Sequence, residues 1–347
     1  MRFIDFRSDT ASPMTDNMRQ SILDAMVGDD VLGEDPNVQA LEQMSARLFG
    51  KEAALLVCSG TMANQIAIMA LSSPGDEVIV PGCSHIYNLE CGGLGALSGV
   101  QVRPIYPGHS RFGPEDVEKA IRPPSVQFPR TSVLCLENTL DLNRGIPVSP
   151  EDQQAMTHIA HQSNMAVYLD GARIFNSAIA LDLPLEDFGS SVDCLQFCLN
   201  KGLSAPVGSV LVGGGEFIDK ARRIRQRIGG AVRHIGYMAA AGVVALNEMI
   251  PRMAEDHRNA ARLREGLMNL DDRLIEAEGP FTNIVRLDVG AARRHADQIA
   301  DGMLEFGIRI KEVDESTCRM VTHFGVREQD VDAALNAAKV VFGRGAA

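Results

Sequence analysis

The 347-residue chain predicts an α/β fold, with a mostly parallel central sheet in a large N-terminal domain and a small C-terminal α+β domain. Three observations lead there. Short apolar runs that suit buried strands alternate with runs of helical period. Those apolar runs are all far shorter than the ~20 residues needed to span a bilayer. Near Pro251 the sequence becomes rich in Arg and Glu, and a different succession of strands and helices follows. The division predicted is 1–250 for the large domain, with segment 1–15 near the active site, and 251–347 for the small one.

The elements follow in order. Residues 36–49 read as a helix through Val38, Leu41, Met44, Ala46 and Leu48, which share one face. Ala53 to Cys58 reads as a strand, and Ser59-Gly60-Thr61 opens a helix over 61–72. Strands are predicted at Glu77–Val80 and Ser132–Leu136, a helix at 151–163, and a strand at 165–169. Leu195–Leu199 and Gly208–Val212 are further strands. Beyond Pro251 come a helix over 253–270, strands 281–289, 308–313 and 318–323, and helices 292–306 and 327–342. The sequence contains no internal repeat or low-complexity tract.

The 33 basic and 45 acidic residues give a net charge of −12, which argues against the phosphate backbone of a nucleic acid as the main partner. The seven cysteines lack paired spacing and read as reduced thiols, with Cys135, Cys194 and Cys198 as small core residues. Met1 to Asp5 does not begin a signal peptide, so the expectation is a cytoplasmic protein without a membrane anchor.

The chemistry is concentrated in two places. Lys201 lies in Asn200-Lys201-Gly202-Leu203-Ser204-Ala205-Pro206, a Gly, Ser and Pro loop after an apolar run. Asp170 ends the apolar run Met165–Leu169 and begins Asp170-Gly171-Ala172-Arg173. A lysine that can form a Schiff base and a carboxylate that can face a pyridinium nitrogen are what pyridoxal 5'-phosphate requires. Ser59-Gly60-Thr61 offers free N–H groups at a helix start and a hydroxyl, which suits the cofactor's phosphate. His85 follows an apolar strand and turn, where its ring can stack on a planar cofactor. The guanidinium of Arg173 can hold a carboxylate or tune a cofactor oxygen. Arg222, Arg223, Arg225, Arg227 and Arg233 form the dense basic run. Gly229 and Gly230 would break that helix and let Arg233 approach a phosphate, in this subunit or a neighbouring one. Competing signals are weak: His158 and His161 lack the H-E-x-x-H pattern, and no metal is expected.

Together these segments resemble the threonine aldolase family of fold type I pyridoxal phosphate enzymes. The resemblance runs over nearly the whole chain. Its blocks are Asp5-Phe6-Arg7-Ser8-Asp9-Thr10, Gly28 to Pro36, Ser59 to Gln65, Ser84-His85-Ile86, Glu137-Asn138-Thr139, Asp170 to Asn176 and Asn200 to Ser209. The resemblance implies that Lys201 carries the cofactor, His85 stacks on its ring and Asp170 faces its nitrogen. Gly60 and Thr61 would bind its phosphate, with Arg233 from a partner chain. Ser8, Arg173 and Arg319 would hold the substrate carboxylate. It also implies a homodimer or homotetramer, and cleavage of a β-hydroxy-α-amino acid to glycine and an aldehyde. The chain departs from the family after Glu-Asn-Thr, where the usual histidine is replaced by Leu140. Leucine cannot move a proton, so either His85 does all the base work or the preferred substrate differs, an apolar Leu140 tolerating a larger β-substituent such as phenyl. A β-eliminating lyase of the same fold, or a non-catalytic protein that binds the cofactor or an amino acid, are the alternatives.

Overall fold

The computed structural model describes residues 3–107, 112–275 and 279–343. Its strands are β1 (Ile4–Asp5), β2 (Ala53–Val57), β3 (Glu77–Pro81), β4 (Gln101–Ile105), β5 (Thr131–Glu137), β6 (Ala166–Asp170), β7 (Cys194–Cys198), β8 (Ser209–Gly213), β9 (Ile284–Asp288), β10 (Ile308–Arg309), β11 (Lys311–Asp314) and β12 (Thr317–Val321). A seven-stranded sheet runs β2-β8-β7-β6-β5-β3-β4. Strands β4, β3, β5, β6 and β7 are parallel, while β8 is antiparallel to both of its neighbours. The mostly parallel central sheet expected from the sequence is therefore present. Strands β3, β5, β7 and β8 are buried along their whole length, which is why they read as continuous apolar runs rather than alternating ones.

The helices, again in chain order, are α1 (Asp16–Asp24), α2 (Pro36–Leu48), α3 (Gly60–Leu71), α4 (His85–Asn88), α5 (Pro114–Ala120), α6 (Pro150–Gln162), α7 (Ile174–Leu181), α8 (Leu185–Ser190), α9 (Gly215–Arg227), α10 (Gly236–Val244), α11 (Ile250–Met268), α12 (Ala296–Glu305) and α13 (Glu328–Gly343). Their starts are chemically marked. Asp35 caps α2 by accepting from the N–H groups of Asn37 and Val38, with Pro36 as first residue. Ser59 caps α3 and Ser149 caps α6 in the same way. Two apolar clusters cover the faces of the main sheet. One includes Leu134, Leu136, Leu169 and Phe197, and the other Leu55, Ile66, Val133 and Tyr168.

A third cluster lies between α11, α12, α13 and the smaller sheet β11-β12-β9, and it takes in Phe6 from the N-terminal segment. Residues 236–268 form one unbroken helical run through a π-turn at Ala245–Met249, so the sequence change near Pro251 falls inside a helical stretch. Pro251 follows directly on that π-turn, the kind of local break in the helical ladder at which a proline is accommodated. The expected strand 308–313 is two strands. Ile308–Arg309 pairs with β1, and from Lys311 the chain pairs with β12. Strand β4 was not expected because Arg103 and Pro104 interrupt its apolar pattern, and it lies at the sheet edge, where a proline is tolerated.

Candidate active site

The site lies where β3, β5, β6 and β7 end. Asp170 is the last residue of β6 and is 3% exposed. Its carboxylate accepts from three neutral donors: Asn64 Nδ2 at 2.8 Å, Gln196 Nε2 at 2.6 Å and the Ala172 N–H at 3.0 Å. Gly171 is required just beyond it, because a Cβ there would lie 2.6 Å from the Gln196 carbonyl oxygen.

His85 opens α4, which follows β3, and its side chain is about one-third exposed. Its Nδ1 lies 2.9 Å from Glu90 Oε1, and its backbone N–H donates to Glu137 Oε2 at 2.6 Å. His85, Glu90 and Asp170 offer atoms within 4.8 Å of one another. The carboxylate oxygens of that trio already accept from side-chain amides of Asn64, Gln65 and Gln196.

Lys201 lies in the loop between β7 and β8, where Ser204 takes a left-handed conformation with φ 60°. Ser204 Oγ lies 2.6 Å from Ser12 Oγ, which anchors the loop to the N-terminal segment. Lys201 is close enough to Asp9 for its charge to act on that carboxyl. Burial works to raise the Asp9 carboxyl, but Arg173, together with Lys201 and His323, carries it well below the usual carboxylate range. Arg173 donates to Asp9 through Nε at 2.8 Å and Nη2 at 2.7 Å, a bidentate pair buried on both sides. Ser8 caps the short turn that carries Asp9.

Arg319, in β12, reaches the same region. Its Nη1 and Nη2 donate to the backbone carbonyls of Leu142 and Arg7, at 2.7 and 2.8 Å. Its Nε is buried and has no hydrogen-bond partner. Burial, reinforced by the nearby positive charge of Arg173, pushes its guanidinium down to about 10. A carboxylate placed there would relieve both costs.

Gly60 and Thr61 are the first residues of α3, where N–H groups have no carbonyl one turn earlier to bond. A Cβ on Gly60 would lie 2.9 Å from Cys198 Sγ, so β7 approaches this turn closely. Arg233 stands apart from the buried group: it is exposed and pairs with Asp29. Its loop does return to α3, since Gly230 packs against Met62. Two more residues of the basic run are held in ion pairs, Arg222 with Glu42 and the buried Arg225 with Asp30. Leu140 is 7% exposed, bridges to Ile146, and lines a cavity of about 430 Å³ with Phe112, Ile146, Pro147 and Val148.

Sequence reasoning missed Asn64, Gln65, Glu90, Gln196 and Tyr168, which surround Asp170 and His85. A signal for three of them was available. Asn64 and Gln65 are polar residues inside the otherwise apolar first turns of α3, and Gln196 is the polar residue of the strand Cys194–Cys198. Buried polar side chains at such positions need partners.

The residues present fit pyridoxal phosphate. Asp170 is a buried carboxylate held by neutral donors alone, which suits a protonated ring nitrogen. The start of α3 suits a phosphate, and the orphaned Arg319 Nε suits a substrate carboxylate. The fold and site together define the class as a fold type I enzyme.

The comparisons narrow it. Residues 5–292 match the family model described as "Beta-eliminating lyase". The chain is 38% identical over 341 residues to low-specificity L-threonine aldolase 1 of Arabidopsis thaliana, covering 97% of this chain and 95% of that one. It is 37% identical to the low specificity L-threonine aldolase of Escherichia coli K12, over 95% and 97% of the two chains. The threonine aldolase structure from Leishmania major superposes with a TM-score of 0.83 at 17% identity, over 97% of this chain and 99% of that one. The chain belongs to the threonine aldolase family.

Proposed function

We propose that the protein is a pyridoxal phosphate-dependent carbon–carbon lyase that cleaves L-β-hydroxy-α-amino acids to glycine and an aldehyde. One observation supports this reading most: the buried Arg319 guanidinium, with Nε unpartnered, reaches the region of Asp9 and Arg173, three residues beyond Asp170 at the end of β6. A cation for an α-carboxylate and an imidazole for a hydroxyl proton are what a β-hydroxy amino acid needs at its two ends.

The residues divide the work. Lys201 holds the cofactor through its amino group, Asp170 holds the ring nitrogen in its protonated form, and Gly60 and Thr61 hold the phosphate. The chemistry such a cofactor supplies when bound is an electron sink for the carbon left by Cα–Cβ cleavage. Arg319, Arg173 and Ser8 orient the substrate carboxylate. His85 takes the β-hydroxyl proton at Nε2, the nitrogen opposite the one that faces Glu90. Leu140 cannot share that task, and the apolar part of the neighbouring cavity, formed by Leu140, Phe112, Ile146 and Val148 in a lining that also holds Glu115, Asp116 and Asp152, favours a larger β-substituent such as phenyl alongside threonine and allo-threonine.

The polypeptide divides into a large cofactor-binding domain over 1–250 and a small domain over 251–347. The working form is a homodimer or homotetramer. The Asp30–Arg233 backbone contact joins two segments that carry exposed apolar side chains, Met26 and Leu32 on one and Val232 and Tyr237 on the other, and these support self-association there, with Arg233 serving a neighbouring subunit. The reading places the protein in the cytoplasm, and its seven free cysteines suit a reducing compartment. Among the described residues no helix is long and apolar enough to cross a membrane.

Product analysis over threonine, allo-threonine, serine and phenylserine tests the reaction. Glycine with the matching aldehyde is expected, and pyruvate with ammonia in their place would overturn it. Lys201→Ala should abolish turnover; full activity in that variant would remove Lys201 from its role.

A further inference from the structure

We propose that Glu90 is the positioning residue for the His85 imidazole, itself held in place by the side-chain amides of Asn64 and Gln65. This rests on the reading of His85 as the base. Glu90 is 5% exposed, and each of its oxygens faces donors. Oε1 accepts from Asn64 Nδ2 at 2.6 Å and lies 2.9 Å from His85 Nδ1, while Oε2 accepts from Gln65 Nε2 at 2.7 Å. A carboxylate in that setting offers His85 an acceptor. It keeps the proton on Nδ1 and leaves the Nε2 lone pair for the substrate.

The other groups packed around the ring agree with that arrangement. From β6, the Tyr168 hydroxyl donates to Asn64 Oδ1 at 2.6 Å, so the amide turns its NH₂ toward the carboxylates of Glu90 and Asp170, the latter at 2.8 Å. From β5, Glu137 takes the His85 backbone N–H at 2.6 Å and fixes where the ring begins, and Cys135 is buried on the same strand. From α3, Gln65 holds the far oxygen of Glu90. His85 is thus held at its backbone N–H by Glu137 and at its ring Nδ1 by Glu90. Rotation that would misdirect Nε2 breaks the Nδ1 contact.

The test compares Glu90→Gln, Glu90→Asp and His85→Asn, singly and combined, in the cofactor-loaded enzyme, with ¹⁵N spectra of histidine-labelled protein. Glutamine removes the charge that favours a proton on Nδ1 while still having to offer an oxygen to Asn64. Glu90→Gln should lower kcat by about 10²–10⁴-fold with KM changed by less than about threefold. The resonance that disappears in His85→Asn should report Nδ1–H in the parent and a larger share of Nε2–H in Glu90→Gln. Glu90→Asp keeps the charge and should recover part of the loss, and it carries the same comparison should the glutamine variant not fold. In the His85→Asn background either Glu90 change should add less than about twofold, because Glu90 acts through His85. An unchanged kcat in Glu90→Gln, or an equal loss with and without His85, would overturn the proposal. Full activity in His85→Asn would instead overturn the reading of His85 on which it rests.

Discussion

Glu137 is a residue whose ionisation the fold controls. It ends β5 beside Asp170 on β6, and burial, with the Asp170 charge behind it, pushes its carboxyl up to about 8 from 4.5. Between those values the folded chain binds a proton that the unfolded chain releases. The group's contribution to stability is therefore complete below about pH 4.5 and lost as pH rises through about 8. Glu137→Gln removes that titration while keeping one oxygen to accept from His85 or Asp141. Its unfolding temperature, compared with the parent between about pH 5 and pH 8, should fall less steeply. Parallel curves for the two proteins would show that Glu137 does not titrate in that window.

Among the elements, the loop leaving β5 is where sequence and site part company. Leu140 exchanges both backbone hydrogen bonds with Ile146, at 2.7 and 2.9 Å, and this turns its side chain into the wall it shares with Phe112. Leu140→His would place a polar ring in that wall and leave it short of partners, at a cost of about 1–3 kcal/mol. If the wall holds the β-substituent, the ratio of phenylserine to threonine kcat/KM should fall by about tenfold or more. An unchanged ratio would make Leu140 a packing residue only. The elements themselves were legible where one physical signal ruled. Buried parallel strands such as β5 and β7 show as apolar runs, and α2, α3 and α6 announce their starts with Asp35, Ser59 and Ser149. Strand β4 was hidden by Pro104, and the break between β10 and β11 by a change of partner at Ile310, because pairing is a long-range choice that local pattern does not carry. Likewise Lys201, Asp170 and His85 were legible as chemistry, while Glu90 was not. Its role comes from reaching across to α3 and α4, and no spacing rule encodes that contact.

At the scale of the whole molecule the N-terminal segment joins the parts that meet at the site. Strand β1 pairs with β10, His323 Nε2 lies 2.9 Å from the Asp5 carbonyl, Arg319 holds the Arg7 carbonyl, and Ser12 meets Ser204 beside the lysine loop. Asp9 is the charged link in this strap, buried against Arg173 next to α7. Breaking such a pair from one side costs about 3–5 kcal/mol, because the remaining charge stays buried and uncompensated. Asp9→Asn keeps one acceptor oxygen, so a loss near the lower end of that range is expected at neutral pH. The folded carboxyl lies below its unfolded value of 3.8, so the parent holds this stabilisation above that pH and loses it as pH falls toward the folded value. The stability gap between parent and Asp9→Asn, measured by urea unfolding, should therefore be full at neutral pH and shrink below about pH 4. The same variant frees one of the two Arg173 donors, so the KM for amino-acid substrate should change together with stability. A gap that stays constant down to strong acid would mean that the Asp9 charge does not hold the strap.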